Sequence, residues 1–198
     1  MKTLKVEENF YPKPFTFAEV GGLFFYHIYK QKQISQNNLY DYFYTISRKK
    51  SELIVSCELQ TINPFFYIGK DTLKSINIQN LIKEKALCFY FSSHTCPPCL
   101  DNIRNLIEKI FPDYKERNDI IFISNDMEFR LLENFYEKTI FWNNNKRLGP
   151  AFEKSETPTF FILDKDLQAK CVFIADKMTP EYIEDYLQII KQRFFVKK

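Results

Sequence analysis

Only four glycines occur among 198 residues. That scarcity excludes a collagenous or glycine-rich disordered chain, and no repeat or low-complexity tract is visible. No apolar run approaches the ~20 residues that a membrane-spanning helix needs. The first ten residues, Met1 to Phe10, bring lysines and then acids with no apolar export core between them. Charge of one sign is also lacking. Twenty-eight Lys and Arg face 25 Asp and Glu, a net +3, and no basic cluster is interleaved with aromatics. A mixed, solvated surface is expected, with no nucleic-acid partner. Five cysteines, an odd number, argue against a stapled secreted scaffold. A second C-x-x-C pair is missing, so the roughly four ligands that zinc requires are not supplied, and neither a metal nor another cofactor is expected.

What is present is aromatic and globular: 21 Phe and 12 Tyr in a chain long enough for one buried domain and an extension. The most informative segment is Cys96-Pro97-Pro98-Cys99. An apolar run, Ala86 to Phe91, leads into it. Leu100, Ile103, Leu106, Ile107 and Ile110 follow at helical spacing until Pro112. Cys96 thus falls where a strand hands over to a helix. Unpaired N–H groups and the macrodipole there favour a thiolate. Cys99, one turn on, is close enough to close a small disulfide ring. The arrangement is a two-electron redox switch. Cys57, Cys88 and Cys171 lie in apolar segments and read as small buried hydrophobes.

The segment Phe89-Tyr-Phe-Ser-Ser-His-Thr-Cys-Pro-Pro-Cys99 resembles the active-site strand and helix of thioredoxin-fold proteins, in particular the redoxin branch of TlpA-like thiol–disulfide oxidoreductases. Asn63 to Thr72 is similar to that branch's opening hairpin, and Glu156 to Asp164 to the segment that carries its cis-proline. The likeness spans about residues 60–195. It departs at Thr95, where an aromatic is usual, at Tyr90, where thioredoxin carries a buried acid, at Arg104, where a helix-kinking proline is common, and around Lys165-Asp166-Leu167, where a glycine is common. The resemblance implies an α/β thioredoxin-like sandwich, a mixed central sheet flanked by helices, over residues 60–198. It also implies a cis Thr157–Pro158 bond that sets the Thr157 backbone against Cys96, ready to pair with an extended substrate.

The chemistry follows from the pair. Cys96 attacks a client disulfide, and Cys99 displaces the reduced product. Catalytic roles fall to Cys96 and Cys99, and substrate binding to Thr157 and Pro158. His94, Pro97 and Pro98 are candidate modulators: His94 by charge or proton relay, the prolines by removing helix-start N–H donors. Glu156 and Trp142 are further candidates for the site's border. The expected partners are a disulfide-containing client protein and an upstream dithiol electron donor, with reduction the leading direction. The family mostly works in the cell envelope, which would require an export signal already removed; a full, unprocessed chain would be cytoplasmic. Two other readings remain. One is a thiol peroxidase on the same fold, for which Ser93 fits and Phe89 does not. The other is a non-catalytic binding module.

From residue 60 the pattern alternates: a hairpin about Gly69, a central strand at 86–92, a helix at 97–111 and a strand at 120–124. A helix capped by Asp126 follows, with Phe129, Leu132, Phe135, Tyr136 and Ile140 on its apolar face. Strands at 159–163 and 170–175 come next, and Thr179 caps a last helix. Residues 1–59 read as an aromatic-rich extension. Thr16 to Glu19 fits a capping box opening a first helix that carries His27, although Gly21-Gly22 is also a hairpin signal. A second helix is expected at 38–49, and an added strand at 52–59.

Overall fold

In a computed structural model the chain is described over residues 17–68, 71–92, 95–125, 137–143, 147–154 and 157–196. It divides into two units, Met1–Arg48 and Lys49–Lys198. Helix α1 (Phe17–Cys57) is 41 residues long. It absorbs both expected helices, and Gly21-Gly22 lies within it, not in a hairpin. The strand expected at 52–59 is a correction: Glu52 to Cys57 are the helix's last turns. Leu53, Ile54 and Cys57 face one way at helical spacing and pack into the core of the second unit. In the first unit Tyr40 stacks on Tyr44, their centroids 6.5 Å apart, as i,i+4 neighbours on a helix can.

The second unit is built on strands β1 (Phe65–Ile68), β2 (Asp71–Asn77), β3 (Lys85–Phe91), β4 (Ile120–Ser124), β5 (Ile140–Trp142), β6 (Thr159–Asp164) and β7 (Ala169–Ile174). Among the described residues these form one mixed sheet in the order β2-β1-β5-β4-β3-β6-β7. β3 runs parallel to β4 and antiparallel to β6. Helix α2 (Pro97–Ile110) connects β3 to β4, and helix α3 (Pro180–Ile190) follows β7. A βαβ unit and a ββα unit therefore share one sheet, as the resemblance implied. A further five residues, Lys191–Phe195, extend α3 as a π-turn.

β3 is apolar on both sides because both faces of the sheet are covered. Leu87, Phe89 and Phe91 point to one face, where Leu100, Ile103, Ile107 and Ile110 of α2 meet Ile183, Leu187 and Ile190 of α3. Each such side chain contributes about 1.5–3 kcal/mol when fully buried. Ala86, Cys88 and Tyr90 point to the other face, onto Phe152, Phe161 and the end of α1. Helix α2 stops where Phe111, ahead of Pro112, leaves the helical region. Lys191 Nζ then takes the Ile110 carbonyl at 2.6 Å, one of the acceptors a helix end leaves over.

Two further corrections belong here. Ile140, expected on a helix face, begins β5, paired parallel to β4; residues 137–139 before it are not helical, and the earlier part of that expected helix lies outside the described residues. Cys171 is only half-buried. It sits at a bulge in β7 with φ 52°, where the β6–β7 register shifts. Its N–H and that of Val172 donate to the Glu58 carboxylate at 3.0 and 3.4 Å. No helix among the described residues is long and apolar enough to cross a membrane.

Candidate active site

β3 ends at Phe91, and the chain turns before α2. The Thr95 N–H donates to the Ser92 carbonyl at 3.0 Å, and the Thr95 hydroxyl accepts from the Ser92 N–H at 3.3 Å. Thr95, where the resembled family carries an aromatic, is thus a buried polar tie for this turn. Cys96 is the N-cap residue of α2, with extended backbone at φ −63° and ψ 134°. Its carbonyl accepts from the N–H groups of Cys99 and Leu100 at 2.9 and 3.2 Å. Pro97 and Pro98 occupy the first two helical positions, which need no intrahelical N–H. Both are exposed, whereas both cysteines are half-buried.

Cys96 and Cys99 form a disulfide across a Cα separation of 5.3 Å. They open onto a cleft of about 310 Å³ whose far wall is Thr157, Pro158, Ala175 and Asp176. The Ala175 N–H donates to the Pro158 carbonyl at 2.8 Å, which fixes the Pro158 loop against the end of β7. The fold therefore gathers four sequence-expected residues, Cys96, Cys99, Thr157 and Pro158, around one cleft. The expected cis bond is corrected: among the described residues every peptide bond is trans, Thr157–Pro158 included. Trans is the lower-energy form of an X–Pro bond by about 0.5–1 kcal/mol. Trp142 is buried in β5 and does not line the cleft. His94, Ser93 and Glu156 lie outside the described residues.

Sequence reasoning missed Asp176 and Lys50. Asp176 lines the cleft, and its Oδ2 accepts from Lys50 Nζ. Burial would raise the Asp176 carboxyl, but the Lys50 bond and the Met178 N–H outweigh it and hold the group below its ordinary value. No motif joins residues 50 and 176. Only the tertiary fold brings the last turns of α1 and the end of β7 together.

The remaining thiols differ in kind. Cys88 is fully buried, and desolvation pushes its pKa far up. Burial also raises Cys57 and Cys171, with the Glu58 charge adding to the effect. Each is a poor nucleophile. Among the described residues no group of three His, Cys, Asp or Glu side chains could hold a metal ion.

No protein-family model matches the chain. It is 34% identical over 89 residues to probable nucleoredoxin 1 of Arabidopsis thaliana. That match covers 43% of this chain and 14% of the relative, so the chain spans a small part of the length of that protein. Among solved structures, a thioredoxin-like protein from Porphyromonas gingivalis shares 16% identity over 67% of this chain and 93% of its own, at a TM-score of 0.44. A putative thiol:disulfide interchange protein DsbE from Chlorobium tepidum shares 13% over 68% and 98%, at 0.45. PrxQ from Xylella fastidiosa shares 10% over 66% and 89%, also at 0.45. With β3-α2-β4 and β6-β7-α3 on one mixed sheet and a Cys-Pro-Pro-Cys pair at the strand-to-helix junction, the chain has a thioredoxin-like fold.

Proposed function

We propose that this chain is a thiol–disulfide oxidoreductase that reduces disulfides in client proteins. The observation that carries the reading is the placement of Cys96 as the N-cap of α2, joined to Cys99 and open to the cleft beside Thr157 and Pro158. In the reduced chain the Cys96 thiolate attacks one sulfur of a client disulfide. The client's S–S bond breaks, its second sulfur leaves as a thiolate, and a mixed disulfide remains. The Cys99 thiolate then attacks Cys96 Sγ and expels the first client sulfur. Two electrons have moved from the chain to the client, and the Cys96–Cys99 bond has formed. A dithiol donor restores the pair. Thr157 and Pro158, on the cleft wall, border the bound client segment.

Reduction of insulin disulfides by dithiothreitol, followed by turbidity, tests the proposal. The intact chain is expected to accelerate it, Cys96→Ser to abolish the acceleration, and Cys99→Ser to accumulate a covalent adduct with insulin. A chain that gives no acceleration, or a Cys96→Ser variant that keeps it, overturns the proposal. Equilibration in redox buffers fixes the direction. A potential near the −270 mV of thioredoxin supports a reductase, and one near −120 mV an oxidant of clients. Saturable peroxide turnover at rates above insulin reduction would instead make the chain a peroxidase.

A further inference from the structure

β3 runs from Lys85 to the cysteine turn, so its two ends lie about 20 Å apart at the usual rise per residue. The end away from the cysteines opens onto a second and larger groove, of about 620 Å³, where the starts of β3 and β4 meet the π-turn after α3. Four cations line it, Lys83, Lys85, Arg117 and Arg193, against the carboxylates of Glu84 and Asp119. Asp119 is already engaged: Arg117 grips it through Nε and a terminal nitrogen, both at 2.8 Å. Among the described residues Lys83, Lys85 and Arg193 have no ion-pair partner.

Two of those three cations converge on one ring. Lys85 Nζ and the Arg193 guanidinium carbon each lie 5.1 Å from the centroid of Phe194. The ring attracts each charge by about 0.5–1 kcal/mol at a partly exposed site. With Lys83 they leave the groove net positive, since Asp119 is held by Arg117 and only the Glu84 carboxylate stands against the other three cations. An anion seated beside Lys85 and Arg193 offsets that excess and gains charge-assisted bonds from both. Beside them Phe195, with Arg117 5.3 Å from its centroid, adds a second half-buried ring to the lining. A bare phosphate fills little of such a groove, whose volume falls within the usual range for organic ligands.

We propose that this groove binds an organic phosphate of the nucleotide class, its phosphates held by Lys85 and Arg193 and its flat ring lying along Phe194 and Phe195. No contiguous run of the sequence announces the site. Residues 83–85, 117 and 193–195 come together only when β3, β4 and the turn after α3 meet. The inference does not depend on the redox reading, since the cysteines lie at the far end of β3.

Calorimetric titration of the full chain with ADP, inorganic pyrophosphate and adenosine, at low ionic strength, tests it. ADP is expected to bind saturably at one site, with pyrophosphate at least about tenfold weaker and adenosine weaker again. Added salt should weaken ADP binding, because the contacts are between charges. A Lys85→Met/Arg193→Met double variant, with thermal stability and insulin reduction matching the parent, should lose at least about tenfold in ADP affinity. As a readout free of mutation, ADP should slow acetylation of Lys85 but not of Lys32. The proposal is overturned by any of three results: no saturable binding of millimolar ADP, adenosine or pyrophosphate binding as tightly as ADP, or unchanged affinity in the folded double variant.

Discussion

Lys50, near the end of α1, donates from Nζ to Oδ2 of Asp176, and Asp176 forms part of the wall of the cleft holding Cys96 and Cys99. The pair sets a carboxylate held ionised at the cleft, with a cation behind it. A negative charge near a thiolate opposes it, and a positive charge favours it. In a reduced Cys99→Ser background, Asp176→Asn is therefore expected to speed alkylation of Cys96 by iodoacetamide at neutral pH, and Lys50→Met to slow it. Each change should be roughly two- to fivefold, because both side chains are about 30% exposed and the field is screened. Equal rates in all three proteins would show that the pair does not act on the thiol.

Acid stability should carry the mark of two such carboxylates. At Asp164, as at Asp176, burial works to raise the carboxyl. The Lys170 side chain and the N–H groups of Gln168 and Asp166 overcome it and leave the group below its ordinary value. A carboxylate whose folded pKa lies below the unfolded value of about 3.9 binds protons more weakly in the folded chain. Its stabilisation is complete above that unfolded value and is lost as pH falls through the lower, folded one. Urea midpoints measured from pH 6 down to pH 2 should drop most steeply below about pH 4. In Asp164→Asn and Asp176→Asn the drop should be shallower. A parallel pH profile in either variant would remove that residue from the account.

Much of this fold was legible because its signals are local. The apolar run from Ala86 to Phe91 and the i,i+3,i+7 spacing from Leu100 specify a strand and then a helix, and Cys96 falls at their junction. The errors fall where local pattern and tertiary setting disagree. Leu53 to Cys57 is a β-like apolar run that becomes helix because only Leu53, Ile54 and Cys57 need to reach the core. Ile140-Phe-Trp142 is a strand of three residues, too short for a period to be read. At Leu167 the resembled family's usual glycine is absent, yet the turn keeps its left-handed backbone, at φ 58°. The leucine tolerates it because its side chain is buried. Of the cleft's lining, Cys96, Cys99, Thr157 and Pro158 were named from the sequence. Lys50 and Asp176 were not, because a pair 126 residues apart leaves no mark in either segment.

Gly149 is the position where glycine is required on two counts. Its φ is +121°, and a Cβ built there would meet the Thr61 carbonyl oxygen at 2.6 Å, a backbone atom with little freedom to move. The neighbouring contacts hold it in place: the Asn63 N–H donates to the Leu148 carbonyl at 2.8 Å, and the Leu148 N–H to Glu153 Oε1 at 2.7 Å. Gly149→Ala should lower stability by about 1–3 kcal/mol, read as a fall in the urea midpoint with an unchanged slope. An unchanged midpoint would mean that the loop relaxes away from Thr61.

The bulge at Cys171 gives a pair of predictions of opposite sign. Residue 171 holds a left-handed conformation that costs a non-glycine residue roughly 1–2 kcal/mol. It persists because each polar group there is satisfied. Glu58 accepts the N–H groups of Cys171 and Val172, and the Tyr186 hydroxyl donates to the Cys171 carbonyl at 2.7 Å. Cys171→Gly removes the strain and only a small half-buried side chain, so stability should rise by about 0.5–1 kcal/mol. Glu58→Ala leaves two N–H groups without their carboxylate and should lower stability by about 1–2 kcal/mol. In the double variant the glycine's gain should persist only in part, since the two residues build one bulge and their effects should not add. Urea unfolding of the four proteins measures the coupling. Strict additivity would mean that Glu58 stabilises β7 without holding the residue 171 backbone in its left-handed form.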